Sequence, residues 1–368
     1  MDRNMHVQLV PDIRCEAGLA QDLASLAAGL GMRRPLVLSD AWLLLQPLIH
    51  GAVAALRHAF AHLAVFSEVV ADLPAHVVAA AVALAIEQRC DGVIGLGGGS
   101  SLDCAKLVAL LARGPRWPLI QVPTTAGTGA EVTPVAIVTT VAGDKKGVVS
   151  ALLLADMAVL DAELTHALPQ ALTAMVGMDA IVHAIEAFTS RLKKNPLSDA
   201  FAIEALRLLT GSIETAVRDG QDSAAREAML MGACLAGLAF ANAPVGAVHA
   251  LAYPLGARFK VAHGLSNALV LIAVLRFNLE AAEALYADLA RRVLGLSGPD
   301  ERLGPAFVDH ISALSRRMPY AQRMANVGVA AQDLPALVDE AMGMQRLLVN
   351  NPRELSRAEA LDIYRACL

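Results

Sequence analysis

The sequence predicts an α/β N-terminal domain with a mostly parallel sheet, followed by an all-helical C-terminal domain. In the first part of the chain, short β-branched runs alternate with Ala- and Leu-rich helical patterns, which is typical of parallel strands covered by helices. The strand-like runs are Pro35–Asp40, His62–Val70, Gly92–Leu96, Leu119–Pro123 and Met157–Asp161. From Pro169 onward, long stretches rich in Ala, Leu and Glu replace this alternation. We therefore predict domains over residues 1–163 and 164–368.

Composition and charge exclude several classes of protein. The 368 residues are 56% hydrophobic and carry a net charge of -5, so no large basic surface is available for nucleic acid or an anionic membrane. No uninterrupted run approaches the ~20 apolar residues that span a bilayer, and the N-terminus lacks a secretory signal. The five cysteines show no zinc-binding spacing. We expect a cytoplasmic protein with reduced thiols and small-molecule partners.

A glycine-rich loop after the third of these runs indicates nucleotide binding. It is formed by Gly97, Gly98, Gly99 and Ser100, and it leads into a helical pattern. Glycines let the backbone approach a pyrophosphate closely, and the N-terminus of a helix favours an anion. The loop matches neither G-x-G-x-x-G nor the Walker pattern, so by itself it also fits a tight turn between a strand and a helix.

A second loop strengthens the nucleotide-binding prediction. It follows the next strand-like run and supplies the hydroxyl groups of Thr124, Thr125 and Thr128. Two such loops at the ends of neighbouring parallel strands would face one crevice. Asp40, at the end of the first strand-like run, is placed to bind an adenosine ribose and to repel a 2′-phosphate, which favours NAD over NADP. By composition alone, Asp40 fits the N-cap of a helix equally well.

Four side chains in the second half of the chain are candidate metal ligands. Asp179 and His183 stand four residues apart in a helical pattern, so they share one helix face. His249 and His263 follow, and Pro254 and Gly256 are expected to break the helix between them. Three imidazole nitrogens and one carboxylate oxygen suit Fe(II) or Zn(II), with a position left open for substrate. The rival pair His58 and His62 has no carboxylate or third imidazole nearby.

The chain as a whole closely resembles the iron-containing alcohol dehydrogenases. The segments that carry the resemblance are GGGSSLDCAK, PTTAGTGAEVTP, GMDAIVHAIEAF and HALAYPLGARFKVAHGLSNA. They occur in the expected order between Asp40 and the Asn351-Pro-Arg segment, so the resemblance spans most of the chain. It implies a dehydroquinate synthase-like fold, with an N-terminal nucleotide-binding domain and a helical domain for metal and substrate. It also implies a homodimer or a higher homo-oligomer.

The same resemblance assigns roles to individual residues. Asp179, His183, His249 and His263 match the family's four metal ligands, and the two loops match its cofactor loops. Asp103 lies in the motif of the first loop, and Lys146 matches a lysine near the cofactor. Many members carry a histidine four residues after the third ligand, where this chain has Tyr253. We expect the Tyr253 hydroxyl to take part in proton transfer in its place.

The implied reaction is hydride transfer between NAD(H) and a small alcohol, aldehyde or ketone, with a metal polarising the substrate oxygen. Fe(II) is the expected metal and Zn(II) the alternative. Three other functions stay open: an NAD- and metal-dependent lyase of the dehydroquinate synthase type, a maleylacetate reductase-like enzyme, and a binding protein without catalysis. The lyase would need clustered Arg and Lys side chains to hold a phosphorylated substrate, and these are scarce near the predicted ligands.

Overall fold

The protein is described here by a computed structural model that covers residues 5–112, 114–140 and 145–368. These residues form two compact units. The first contains Gln8–Leu168 and Gly220–Cys234, and the second contains residues 5–7, Pro169–Asp219 and Leu235–Leu368. The division into domains 1–163 and 164–368 stays a prediction, and the two units divide the chain somewhat differently.

The first unit is built on a six-stranded parallel sheet with the strand order β1-β8-β5-β4-β2-β3. The strands are β1 (Asp12–Cys15), β2 (Pro35–Leu38), β3 (Ala64–Phe66), β4 (Gly92–Gly97), β5 (Leu119–Pro123) and β8 (Met157–Leu160). Strands β2, β4, β5 and β8 are buried along their whole length, as expected for parallel strands covered on both faces. The predicted parallel sheet is confirmed.

Four helices, the first part of a later helix (α7, Ser223–Asn242) and a hairpin complete the described part of the first unit. The helices are α1 (Leu23–Gly29), α2 (Pro47–Ala59), α3 (Ala75–Glu87) and α4 (Gly99–Leu111). The hairpin pairs β6 (Val135–Thr139) with β7 (Lys145–Val149) in antiparallel register. The sequence reasoning missed both the hairpin and β1. Strand β1 is short and only half-buried, so it carries little of the hydrophobic signal that marks the central strands.

The second unit is helical. Its helices are α5 (Gln170–Thr189), α6 (Pro196–Arg218), the later part of α7 (Ser223–Asn242), α8 (Ala247–Phe259), α9 (His263–Leu294), α10 (Asp300–Arg316), α11 (Leu334–Met342), α12 (Gln345–Leu348) and α13 (Arg357–Cys367). No residue described after Leu160 belongs to a strand. This confirms the prediction that the second half of the chain is all-helical.

Helices α5 and α7 are more apolar than the sequence analysis expected. Each has 20 residues and a mean hydropathy of 1.4 over its best window, so length and composition alone would allow either to cross a bilayer. Within the protein, 78% of that window is buried in α5 and 61% in α7. Core helices commonly share this composition, and α5 carries buried Asp179, His183 and Glu186 on one side.

Helix α8 corrects one local prediction. It runs through Pro254 and Gly256 without a break and ends at Phe259, where the C-cap residue Lys260 adopts a left-handed conformation with φ of 56°. Burial of most of the helix compensates for the backbone hydrogen bond that proline cannot donate. The interruption between His249 and His263 therefore lies at residues 260–262, and His263 is the first residue of α9.

Candidate functional site

The four predicted metal ligands come together within the helical unit. One ligand atom from each of Asp179, His183, His249 and His263 lies within 4.8 Å of every other. The first three side chains are buried and His263 is partly exposed. The His183 and His249 rings stack with their centroids 4.8 Å apart, and the His249 and His263 centroids are 5.4 Å apart. Three helices, α5, α8 and α9, thus converge on one point.

Close helix packing brings these groups together. Asp179 and His183 project from the same face of α5, one turn apart. Gly264 follows His263 at the start of α9, where a Cβ atom would lie only 2.4 Å from the backbone oxygen of Met175. A glycine is therefore needed there, because it lets α9 approach the backbone of α5 closely enough for His263 to reach Asp179.

One side-chain amide contacts three of the four predicted ligands. The Asn267 side-chain nitrogen lies 2.6 Å from Asp179 Oδ1, 3.2 Å from His249 Nε2 and 3.3 Å from His263 Nε2. Whether each ring nitrogen donates or accepts depends on the tautomer of its histidine, whereas the carboxylate oxygen of Asp179 accepts from the Asn267 amide. Burial alone would raise the pKa of Asp179, but the three imidazoles and the Asn267 amide outweigh burial and hold that pKa below its ordinary value. The carboxylate is kept ionised.

This donor set fits a divalent metal ion. Three imidazole nitrogens and one carboxylate oxygen are ligands that Fe(II) and Zn(II) accept, and no cysteine stands in the cluster. His263 is the most exposed ligand, with 32% of its side chain accessible, so one side of the cluster is open. The site can therefore hold a metal and leave room for a small oxygen-bearing molecule.

Two buried residues at this site were missed by the sequence reasoning. Asn267 donates to Asp179, and Glu186 accepts from His249 Nδ1 at 2.6 Å. Both lie inside motifs already singled out, but their partners are 88 and 63 residues away in sequence. Helical spacing could have pointed to Glu186, since it follows His183 by three residues and therefore lies on the same face of α5.

The two cofactor loops adjoin in the first unit, as their predicted positions after neighbouring strands required. Gly97 pairs with Pro123 across β4 and β5, and the Thr124 N–H donates to the Gly97 oxygen at 3.0 Å. A Cβ atom on Gly99 would lie 2.9 Å from Thr128 Cγ2, so only a glycine fits against the second loop there. Ser100 continues the first turn of α4.

The first loop also leaves the N-terminus of α4 accessible to an anion. Gly98 is the N-cap residue, and its lack of a side chain means that no side-chain oxygen caps the helix. Thr125 lies opposite Gly98, with its side chain 3.5 Å from where a Cβ atom would be. Glycine backbone, helix N-terminus and threonine hydroxyls thus line one cradle, the arrangement that suits a pyrophosphate.

Three further residues were predicted to bind the cofactor, namely Asp40, Asp103 and Lys146, and their surroundings differ. Asp40 follows β2, and one of its carboxylate oxygens accepts from the Leu43 N–H at 2.9 Å, so it does cap a turn. Both oxygens of Asp103 bind within the protein, one to Lys106 Nζ at 3.2 Å and one to the Ile137 N–H at 2.8 Å. Asp103 thus ties α4 to the hairpin. The Lys146 side chain is exposed on β7.

The comparisons with known proteins agree with this geometry. A model described as iron-containing alcohol dehydrogenase matches residues 11–162, and one described as Fe-containing alcohol dehydrogenase family, C-terminal, matches residues 173–368. The chain belongs to the iron-containing alcohol dehydrogenase family. This places it among oxidoreductases of the alcohol dehydrogenase and aldehyde reductase type.

Individual relatives cover most of the chain. It is 38% identical over 305 residues to the probable alcohol dehydrogenase EutG of Salmonella typhimurium, covering 78% of this chain and 76% of that protein. It is 36% identical over 357 residues to long-chain-alcohol dehydrogenase 1 of Geobacillus thermodenitrificans, covering 92% and 90%. The crystal structure of a 1,3-propanediol oxidoreductase superposes with a TM-score of 0.95 at 30% identity, covering 100% of both chains. The dehydroquinate synthase-like fold expected from the family is confirmed.

Tyr253 lies next to the predicted metal ligands, at the position where the family resemblance implied a histidine. Its half-buried ring is tilted over His263 with 5.6 Å between centroids and meets His249 edge-on at 6.2 Å. The side chain is thus beside the two ligands that α8 and α9 supply. A tyrosine hydroxyl can both donate and accept a hydrogen bond, so the position keeps a group capable of proton exchange.

Glu131 is a buried carboxyl group that follows the second cofactor loop. Only 2% of the residue is exposed, and burial raises its pKa to about 7. A carboxylate whose pKa is raised in the folded state binds its proton more tightly there than in the unfolded chain. Ionising Glu131 therefore opposes folding, and its contribution to stability declines as the pH rises from about 4.5 to about 7.

Replacing this carboxyl group should change how stability depends on pH. We expect the free energy of unfolding of Glu131→Gln, relative to wild type, to rise with pH across this window by roughly 3 kcal/mol, because glutamine does not ionise. Urea titrations between about pH 5 and 8 measure this difference. Glu87→Gln, at an exposed position of α3, is the control and should run parallel to wild type. If the free energy of unfolding of Glu131→Gln changed with pH in the same way as that of wild type, it would contradict a raised pKa for Glu131 in the folded protein.

Proposed function

We propose that this chain is an NAD(H)-linked, Fe(II)-dependent oxidoreductase that interconverts a small alcohol and its aldehyde or ketone. The observation that carries the proposal is the cluster of Asp179, His183, His249 and His263, whose ligand atoms lie within 4.8 Å of one another in an alcohol dehydrogenase family member. Zn(II) is the alternative metal, and the general affinity order favours it over Fe(II), so supply in the cell selects between them.

Each part of the chain has a defined task in this reaction. When bound, the metal supplies a Lewis acid for the substrate oxygen and NAD(H) supplies the hydride donor or acceptor. Asp179 would offset the charge of the metal with one negative charge, and the three imidazoles would supply nitrogen ligands. The Tyr253 hydroxyl exchanges a proton with the substrate oxygen or with solvent. The glycine cradle holds the pyrophosphate, and Asp40 accepts from the adenosine ribose while it repels a 2′-phosphate.

No observation favours the lyase. Among the described residues, the side chains with recorded contacts to the cluster include Asn267, Glu186, Phe240 and Tyr253. None of them is cationic, whereas a phosphorylated substrate needs Arg or Lys. A maleylacetate reductase is among the similar solved structures, with a TM-score of 0.86 at 29% identity, and it is the second candidate because its name describes the same reductive chemistry.

We further propose that the enzyme acts in the cytoplasm as a homodimer or higher homo-oligomer, with a small alcohol or aldehyde as its partner. All five cysteines are free thiols, and four of them are buried. Burial raises the pKa of Cys104, beside the first loop, to about 12, so this thiol stays protonated. The net charge of -5 disfavours nucleic acid and anionic membranes as partners.

Loss of one imidazole should abolish tight metal binding. We expect His263→Ala to bind Zn(II) or Fe(II) at least about a hundredfold more weakly, because three ligands cannot replace the fourth, and to lose metal-dependent oxidation of NADH by small aldehydes. Anaerobic titration with each metal and the absorbance of NADH give the two readouts. His58→Ala, from the rival histidine pair and exposed, should behave as wild type. Full metal stoichiometry and activity in His263→Ala would refute the ligand assignment.

The charge of Asp40 should set the choice of cofactor. Asp40→Asn keeps an oxygen that can accept from the Leu43 N–H but removes the negative charge that repels a 2′-phosphate. We expect the ratio of kcat/KM for NADPH to that for NADH to rise about tenfold, equivalent to ~1.4 kcal/mol. Asp22→Asn removes the same charge at an exposed position of the same unit and should leave the ratio unchanged. An unchanged ratio in Asp40→Asn would assign Asp40 to turn capping alone.

A further inference from the structure

Glu186 stands between a metal ligand and the start of the helix that carries it. Its Oε2 lies 2.6 Å from His249 Nδ1, and its Oε1 accepts from the Val248 N–H at 2.7 Å. The Glu186 side chain is 6% exposed and that of His249 is 3% exposed. A buried carboxylate is costly unless it is well bonded, and here each oxygen has a partner.

We propose that Glu186 is a positioning residue for the metal, because it fixes the tautomer and ring orientation of His249. Glu186 Oε2 can only accept, so the proton of the His249 ring is held on Nδ1. Nε2 then carries the lone pair, and it points toward Asn267 and the other ligands. A carboxylate that bonds the outer nitrogen of a ligating histidine also increases the basicity of the inner nitrogen. This inference rests on the proposed metal-dependent function.

The surrounding backbone shows that this placement is built into the fold. Glu186, His183 and Asp179 lie on one face of α5, so a single rigid helix supplies two ligands and the group that orients a third. At Gly246, the N-cap of α8, a Cβ atom would come within 3.4 Å of Glu186 Oε1 and 3.3 Å of Asn351 Cα. The missing side chain leaves room for both neighbours.

The Asn351 segment has a role in the same arrangement. Asn351 and Asn278 exchange two side-chain hydrogen bonds at 2.8 and 2.9 Å, and the Asn351 amide also donates to the Arg353 oxygen. This buried pair fixes the backbone that packs against Gly246. The Asn351-Pro-Arg motif thus supports the start of α8, the helix whose third residue is His249.

Glu186 has a second role that must be separated from the first. By accepting from the Val248 N–H it caps the N-terminus of α8, which would stabilise the protein without any metal. Glu186→Gln separates the two roles, because its amide oxygen can still accept from Val248 while its NH2 group cannot accept from His249 Nδ1. Glu186→Ala removes both, and Glu204→Gln, a half-exposed glutamate of α6, is the control.

The test measures Zn(II) affinity, the visible absorption of the Co(II)-loaded protein, and the thermal unfolding of the metal-free protein. We expect Glu186→Gln to bind Zn(II) 10- to 100-fold more weakly, with an altered Co(II) spectrum, while metal-free unfolding and NADH affinity match wild type. Glu186→Ala should in addition unfold at a lower temperature. Wild-type Zn(II) affinity and Co(II) spectrum in Glu186→Gln would overturn the inference, as would an unfolding temperature lowered as far as in Glu186→Ala.

If the proposed function is wrong, the result differs, because the wild-type protein itself then takes up neither Zn(II) nor Co(II).

If Glu186→Gln does not fold, the tautomer of His249 is measured instead in the wild-type protein labelled with 15N-histidine and loaded with Zn(II). His249 protonated on Nδ1 and bound to the metal through Nε2 supports the inference, and the opposite tautomer overturns it. The His249 signal is assigned in the Zn(II)-loaded wild-type protein by correlating its ring nuclei with its own backbone resonances.

Discussion

The structure of the helical unit depends on one electrostatic constraint: a buried carboxylate and three imidazoles share a space in which their ligand atoms lie within 4.8 Å. The amide of Asn267 lies within 3.3 Å of three of these four groups. A divalent cation would balance the charge of Asp179 and use the imidazole lone pairs together. The packing of α5, α8 and α9, and the glycine at position 264, follow from the need to bring these groups to one point.

The two units divide the chemistry between them. The parallel sheet of the first unit ends in two loops where glycine backbone and threonine side chains lie close together, an arrangement that suits the phosphate-bearing cofactor we propose. The second unit supplies the ligands from rigid helices, and a surrounding layer of Glu186, Asn267 and Asn351 fixes their orientation. Rigid support of this kind keeps a metal site preorganised.

Local pattern predicted the features that a short stretch of chain determines by itself. These include the buried strands, the glycine loops and the spacing of Asp179 and His183. It missed what depends on distant residues, such as the bond from His249 to Glu186 and that from Asp103 to the hairpin. The predicted helix break at Pro254 was wrong, because burial keeps α8 helical there despite the low helix propensity of proline. The Asp40 carboxylate accepts a hydrogen bond within a turn, whereas the alternative interpretation was a helix N-cap, and its ribose contact stays a prediction.

X-ray absorption at the zinc edge of the Zn(II)-loaded protein tests the central claim most directly. Since Zn–N and Zn–O bonds measure about 2.0–2.2 Å and Zn–S bonds about 2.3 Å, the first shell of the metal can be identified from its distances. The account predicts a shell of nitrogen and oxygen only, with the multiple scattering of three imidazoles. A sulfur ligand, or fewer than three imidazoles, would contradict it.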